Sequence, residues 1–468
     1  MYRTDVKTSF PILCRGGQNK DKVDLSAFRY LQNESAEGQE EGCFMKRRIL
    51  AVLMTAVLAA GALFGCGDSG KKGGTEDSQE SEKNTTVTVT TWDELSDNED
   101  LNMFIQCGKE LGINVEIMFI PSSEYFSKLN QMVATGDASA DIYIVWENNL
   151  KEFADAGGVI ELDGYLADSQ IDTGDFIEAF GELTDGMGAT YGLPWCAATE
   201  VMYYNQDLFD AAGVAYPTND WTYAQYVDAA RRLTRRAEDG TTEIYGSELP
   251  TKETWWAGFG SAGDQVYNPE TGQMEIGEGA VSLLRDFRTL VAEGVMPAPP
   301  SDSDRDLFRD GKAAMAWAGS WEIAAYGDEL GFNWEIAPIP VNKRAYNTLH
   351  TGFYTINSKS KNKDAAWEVI EYLMSEKGQT LNSEESGNLS SLKSIAAKGA
   401  WKVDNAPTIE NWDAMMIALE TGAFGYTCLP SGVSANALNW FDAALTGEIT
   451  AEDAVSQVSD YAAKVIGY

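Results

Sequence analysis

Basic residues and histidine are scarce in this sequence of 468 residues. It has 35 lysines and arginines against 72 acidic residues, so its formal net charge at pH 7 is −37. Nucleic-acid binding requires clustered basic residues, which this composition disfavours. The single histidine, His350, excludes zinc sites built from several histidines. We expect no nucleic-acid partner, no metal and no cofactor.

Cysteine is also rare. The chain has six cysteines, and no two of them form a C-x-x-C pair. This density is far below that of a disulfide scaffold, and the spacing does not suit structural zinc. We expect Cys107, Cys196 and Cys428 to be buried as small hydrophobic residues.

Motifs of the common hydrolases are missing. No G-x-S-x-G sequence occurs, and a lone His350 cannot form a relay of histidines. We expect His350 to be a polar residue at the entrance of a strand. Paired carboxylates hydrolyse glycosides, but with so many acidic residues a pair means nothing without geometry. We predict that the chain is not an enzyme, and we keep an extracellular glycoside hydrolase as an alternative of a different class.

The segment from Met45 to Cys66 indicates where the rest of the chain is located. Three basic residues at 46–48 precede an uncharged run at 49–62 that ends in small residues. This pattern is typical of a secretory signal, and the run is short of the roughly 20 apolar residues of a permanent span. Its end, Leu63-Phe64-Gly65-Cys66, resembles the bacterial lipobox, which implies cleavage before Cys66 and lipidation of its sulfur. An uncleaved anchor helix is the alternative, and it exports the same residues.

The segments on either side of the signal peptide, residues 45–65, are polar. Residues 1–44 precede a complete signal sequence, so we interpret them as a misassigned start, with a cytoplasmic extension as the alternative. Residues 66–85 contain almost nothing that could be buried, which predicts a flexible tether. The expected location is the outer face of the cytoplasmic membrane, extracellular in a Gram-positive cell rather than periplasmic.

The globular part opens with strands that alternate with helices. Residues 87–91, 115–120 and 141–146 have the composition of strands, and helical patterns occupy 101–111 and 121–136. This order predicts parallel β-α-β units in an α/β fold. In such sheets, ligands bind at the carboxyl ends of the strands.

Aromatic, acidic and amide residues follow two of these strand ends. Trp92 and Glu94 follow the first strand, and Trp146 and Asn149 follow the third. A sugar ring packs its C–H face on an indole, while its hydroxyl groups pair with carboxylates and amides. We therefore predict that these four residues contact a ligand. An ammonium ion would also fit acids beside an indole, so a polyamine or other small cation is the alternative ligand.

A series of short motifs runs through nearly all of the chain after the signal segment. They include Lys151–Leu166, Tyr191–Trp195, Met202–Asn205, Trp221–Tyr223, Asn268–Gly272, Gly311–Met315, Gly319–Trp321, Ile336–Pro340, Thr351–Phe353 and Asn357–Asn362. Their ordered succession resembles the family 1 extracellular solute-binding proteins, the maltose-binding-protein-like receptors of ABC importers. The resemblance implies a two-lobed periplasmic-binding-protein-like fold of type II, with the ligand in a cleft between lobes joined by a hinge.

The resemblance also implies lobe boundaries. Residues 86–197 and 345–388 would form lobe 1, and residues 198–344 and 389–468 would form lobe 2. The chain would first cross between the lobes near 195–201 and would return near 342–348.

Further site residues follow from the resemblance. Trp321 matches a tryptophan that stacks on the sugar in sugar-binding members, and Trp146 matches a similar position in the first lobe. The remaining candidates flank the expected hinge or cleft, and they are Trp195, Trp255, Trp256 and Gly352. The family often has two glycines where this chain has Thr351-Gly352.

The implied function is that of a monomeric, lipid-anchored receptor. It would capture a mono- or oligosaccharide by lobe closure and deliver it to the membrane permease of an ABC importer.

Overall fold

The computed structural model describes residues 85–92, 102–177, 179–180, 187–250, 254–268, 271, 273–300, 306–327, 329–402, 406, 408–424, 429 and 431–466. The predicted signal segment, Cys66, Glu94 and Cys428 lie outside these residues. Glu80–Tyr468 forms one compact unit. Across the described ranges, no helix combines the length and the apolar character that a bilayer span requires.

Helices and strands alternate along much of the chain. The first are β1 (Thr86–Thr91), α1 (Met103–Leu111), β2 (Asn114–Phe119), α2 (Ser122–Thr135), β3 (Ile142–Trp146), α3 (Glu147–Asp155), α4 (Asp163–Ala167), β4 (Leu193–Pro194), β5 (Ala198–Asn205), α5 (Gln206–Ala212), α6 (Tyr223–Leu233), β6 (Arg235–Arg236) and β7 (Thr242–Ile244). They are followed by α7 (Thr254–Ser261), β8 (Val266–Asn268), β9 (Gln273–Glu275), α8 (Glu278–Ala292), β10 (Met315–Gly319), α9 (Glu322–Tyr326), β11 (Trp334–Ala337), β12 (Asn347–His350) and β13 (Gly352–Ile356). The last are α10 (Lys363–Leu373), α11 (Glu376–Ser386), α12 (Lys393–Ala396), α13 (Asp413–Glu420), β14 (Gly422–Ala423), α14 (Ser431–Thr446) and α15 (Ala451–Ile466).

The first lobe is built on a five-stranded sheet with the order β2-β1-β3-β13-β4. β1 pairs in parallel with β2 and β3, as the β-α-β pattern predicted, while β13 pairs antiparallel with β3 and β4. Alternation along β1 buries Val87 and Val89 fully, and they pack with Ile142, Ile144 and Phe104. Burial of these β-branched and aromatic side chains is the main stabilising term of the sheet.

The second lobe is organised around β5. β10 pairs antiparallel with β5 along one edge, while β12 and β11 pair with its first and second halves along the other. Helix α7 packs beside this sheet and is apolar on all sides, so it lies inside a core that also contains Phe287 and Phe441. The two sheets confirm the predicted two-lobed α/β fold.

The chain crosses between the two sheets after β4, after β12 and after α11. It leaves β4 and enters β5 through 195–197, and it returns from β12 to β13 at Thr351. After α11, Leu389 bridges Ala197 and joins the second-lobe core. The hydroxyl of Thr351 donates to the carbonyl oxygen of Cys196 over 2.7 Å, which ties the first two crossings together.

The return crossing lies later than the sequence indicated. A boundary at residue 345 assigns β12 to the first lobe, but Leu349 pairs with Thr199 and His350 pairs with Ala198, both in β5. β12 therefore belongs to the second sheet. A strand of four residues pairs with the edge of a sheet that offers it hydrogen-bond partners. The local sequence does not indicate which sheet that is.

The two described cysteines agree with the prediction. Cys107 and Cys196 are buried reduced thiols, with 0% and 3% of their surface exposed. Burial, followed by the nearby charge of Glu110, raises the pKa of Cys107 to about 12. The thiol of Cys107 is therefore protonated at neutral pH and unreactive.

Candidate ligand-binding cleft

The first-lobe side of the cleft carries an aromatic cluster at the carboxyl end of β3. The ring of Trp146 lies 5.4 Å from Trp92 and 4.6 Å from Phe126, and Trp92 lies 4.9 Å from Tyr125. Tyr125 is fully buried, and its hydroxyl donates to the carbonyl oxygen of Ile144 over 2.8 Å. Trp146, in contrast, is 40% exposed. The cluster therefore holds one partly exposed indole in place at the strand end.

Gly352 lies opposite Trp146 in the ladder between β3 and β13. A Cβ atom at Gly352 would overlap with Nε1 of Trp195, so glycine is required for the indole to approach this strand. Trp195 is only 8% exposed, and its Nε1 has no hydrogen-bond partner among the described residues. Its carbonyl oxygen accepts hydrogen bonds from Gln379 and Asn382, which hold the crossing segment against α11.

The second-lobe side of the cleft carries Trp321, which follows β10. Its ring lies over Gly319, where a Cβ atom would overlap with the indole. The ring of His350 meets Trp321 edge to face at 5.7 Å. Trp321 is half-buried in this position. Together these contacts define the orientation of the second exposed indole.

His350 lies between two carboxylates. Its Nε2 is 2.9 Å from Oε1 of Glu200 on β5, and its Nδ1 is 3.7 Å from Oε1 of Glu147 at the start of α3. The side chains of His350, Glu147 and Glu200 are 14%, 5% and 0% exposed. Burial by itself lowers the pKa of His350, but the interactions of the ring with the carboxylates of Glu147 and Glu200 outweigh burial and raise this pKa to about 10. The ring is therefore an imidazolium at neutral pH.

The strand pairings explain why these residues meet. Glu200 pairs with Gly319, two residues before Trp321, and His350 pairs with the start of β5. On the first sheet, Trp146 ends the strand β3 and pairs with Gly352, and Glu147 follows it as the first residue of α3. The ends of both sheets therefore meet at Thr351. This places Trp146 and Trp321 on the two sides of one hinge.

Two of the other predicted site residues, Trp255 and Trp256, lie away from the hinge, whereas Asn149 lies in the first turn of α3, close in sequence to Trp146. Trp255 and Trp256 are 0% exposed inside the second-lobe core, where Trp255 packs against Phe287 and Phe441 at 5.3 and 5.4 Å. Asn149 is 4% exposed, and its Oδ1 has no hydrogen-bond partner among the described residues.

Glu147, Glu200 and His350 are not among the site residues predicted from the sequence. A signal for Glu200 does exist, because it interrupts the strand Ala198–Asn205, every residue of which is buried. A charge inside such a strand requires a partner. Within the described ranges, no cluster of three or more histidine, cysteine or acidic residues is arranged to hold a metal ion.

Comparison with known proteins agrees with this architecture. A model of the family described as bacterial extracellular solute-binding protein matches residues 83–380. A binding protein of Brucella abortus is 27% identical over 302 residues, which cover 63% of this chain and 72% of the relative. The galactooligosaccharide-binding protein of Bacillus subtilis is 26% identical over 250 residues, covering 50% of this chain and 55% of the relative.

Solved structures show the same fold. An ABC substrate-binding protein from Listeria monocytogenes, in complex with cycloalternan, superposes with a TM-score of 0.70 at 23% identity. The superposition covers 82% of this chain and all of that one. Two α/β lobes around a hinged cleft define the class of two-lobed solute receptors. The chain belongs to the bacterial extracellular solute-binding protein family, which is a family of binding proteins rather than enzymes.

Proposed function

We propose that this protein is a lipid-anchored extracellular receptor that captures a mono- or oligosaccharide by closing its lobes and delivers it to the permease of an ABC importer. The observation that carries the proposal is the placement of two partly exposed indoles, Trp146 and Trp321, at the strand ends of different lobes beside one hinge. Each indole offers an apolar face to a sugar ring. Closure would bury both faces, and the free energy of ligand binding selects the closed form.

Polar groups near the indoles support a ligand rich in hydroxyl groups. Asn149 Oδ1 and Trp195 Nε1 are buried on the first-lobe side of the hinge without partners among the described residues. Buried polar atoms left unpaired cost free energy, which a hydroxyl group or a water molecule relieves. The similarity to a galactooligosaccharide-binding protein supports the same substrate class.

The membrane anchor rests on the lipobox-like sequence that ends at Cys66. Diacylglyceryl modification of Cys66 would hold the receptor beside its permease, and residues 66–85 would serve as the tether. Metabolic labelling with palmitate tests this step. We expect label in the wild-type protein and none in Cys66→Ala, and equal labelling of the two would contradict the anchor.

The substrate class is tested by titration calorimetry and thermal shift against monosaccharides, oligosaccharides, polyols and polyamines. A ligand at 100 times its dissociation constant stabilises the folded state by about 2.7 kcal/mol, which a thermal shift detects. We expect a saccharide to bind and Trp321→Ala and Trp146→Ala each to abolish binding. Trp440→Ala is the matched control, because Trp440 packs on Tyr461 at 5.8 Å within the second lobe.

The alternatives give different results in the same experiment. If a polyamine binds and no saccharide does, the ligand is a cation held by acidic residues and indoles rather than a sugar. Release of reducing ends from an oligosaccharide would instead identify a glycoside hydrolase.

A further inference from the structure

The cluster of Glu147, His350 and Glu200 lies where the two lobes join. Glu200 belongs to β5 of the second sheet, and Glu147 follows β3 of the first sheet. His350 is the last residue of β12, immediately before the crossing at Thr351. The cluster therefore connects the two sheets through side chains at a point where the backbone also crosses.

The cluster also contacts both sides of the proposed sugar site. The His350 ring packs edge to face on Trp321, and Glu147 directly follows Trp146. Any shift of the imidazolium changes its contact with one indole and the ion pair next to the other. The His350 side chain therefore links the segments that carry the two indoles.

We propose that His350 is a positioning residue that joins the two halves of the ligand site, with Glu200 as its anchor and Glu147 as its partner across the hinge. The role in ligand binding rests on the proposed function. We call the contacts Glu147–His350–Glu200 the joint, and its contribution to stability can be measured without a ligand.

Electrostatics gives the joint its strength. The charged groups that face His350 include Glu200 from β5 and Glu147 from α3, and Trp321 contributes the edge contact. The carboxylate of Glu200 has no other hydrogen-bond partner among the described residues, and its Oε2 has none. Without the cation, two buried carboxylates from different lobes would repel each other at low dielectric. This repulsion would move Trp146 and Trp321 apart.

A rescue experiment distinguishes this joint from a general structural role. We expect His350→Gln to weaken binding of the saccharide found in the panel by about tenfold, within the usual range of coupling between sites. Adding Glu147→Gln to His350→Gln removes one of the repelling carboxylates and should recover at least part of the lost affinity. Glu152→Gln is the matched control in the same background, because Glu152 is an exposed carboxylate on the same helix.

Urea unfolding supplies a readout that needs no ligand. We expect His350→Gln to lower the unfolding midpoint, the added Glu147→Gln to raise it again, and the added Glu152→Gln to leave it unchanged. The proposal would be overturned if the losses of urea midpoint and of affinity in His350→Gln/Glu147→Gln equalled the sums of the losses in the two single variants. If no saccharide binds the wild-type protein, the proposed function fails, while the midpoints still decide on the joint.

A second comparison covers the case in which His350→Gln does not fold. Glu147→Gln in the wild-type background leaves the imidazolium on its Glu200 anchor and removes only the contact across the hinge. We expect weaker ligand binding and a lower urea midpoint than in Glu152→Gln. Identical behaviour of the two variants would refute the role of His350.

Discussion

Alkaline pH should destabilise this protein through one residue. The pKa of His350 is raised from 6.5 to about 10 in the folded chain because Glu147 and Glu200 outweigh the effect of burial. Below pH 6.5 the ring is charged in both the folded and unfolded states, so the stabilisation is fully present. As the pH rises toward 10, only the folded state retains the proton, and the free energy of unfolding falls. At 1.36 kcal/mol for each unit of pKa difference, the loss has an upper limit of about 5 kcal/mol.

Urea unfolding of the wild-type protein and His350→Gln, from about pH 6 to about pH 10.5, measures this contribution as the difference between their free energies of unfolding. Burial raises the pKa of tyrosines such as Tyr143 and Tyr226, but these residues are present in both proteins and cancel in the difference. We expect the difference to shrink steadily as the pH rises. A difference that stays constant over this range would refute the argument that the imidazolium is held by the two glutamates.

Three further predictions concern close contacts and a helix cap. Gly352→Ala should lower the free energy of unfolding by about 1–3 kcal/mol in urea, because the methyl group overlaps with Trp195. Gly319→Ala should displace the half-buried ring of Trp321 and weaken ligand binding by about tenfold in calorimetry, with a smaller effect on stability. Asp264→Ala should cost about 2 kcal/mol in urea, because the Asp264 carboxylate accepts three backbone N–H groups at the start of α8 over 2.8–2.9 Å.

Each of these predictions has a contradicting result. Wild-type stability of Gly352→Ala would mean that Trp195 does not pack on this strand. Unchanged affinity in Gly319→Ala would remove Trp321 from the site. An unfolding midpoint of Asp264→Ala equal to that of the wild-type protein would show that water replaces the cap at no cost.

Local patterns in the sequence were sufficient for the first lobe's opening elements. The alternation in 87–91 and the helical spacing in 101–111 and 121–136 predicted β1, α1 and α2, because short-range sterics and burial determine such elements. The position of Trp146 at the end of β3 was predicted from the alternating order of strands and helices, because ligands bind at the carboxyl ends of parallel strands. These features depend on neighbours only a few residues apart.

The sequence of α7 already indicates a buried helix. The run Thr254–Ser261 contains no charged residue, and a helix that is apolar on all sides is buried. This rule indicates a core position for Trp255 and Trp256, where the structure places them. The prediction that Trp255 and Trp256 line the cleft therefore relied on residue type and did not take account of the helix in which they lie.

Local sequence marks Glu200 as a charge within a strand, but it does not identify the partner of Glu200 at the hinge. His350 and Glu200 are separated by 150 residues in sequence, and their contact depends on the pairing of β12 with β5. The same pairing moved the predicted lobe boundary. Secondary-structure propensity does not determine which sheet edge a short strand joins. The missed contact between His350 and Glu200 and the misplaced lobe boundary therefore have the same physical cause.

The interleaving of the sheets has a consequence for biosynthesis. β13 lies between β3 and β4 in the first sheet, although β5, β10 and β12 of the second sheet all precede it in the chain. An emerging polypeptide therefore cannot complete its first sheet until residues 352–356 have been made. A nascent chain with most of its length exposed retains unpaired strand edges and long-range contacts still to form, which slows folding.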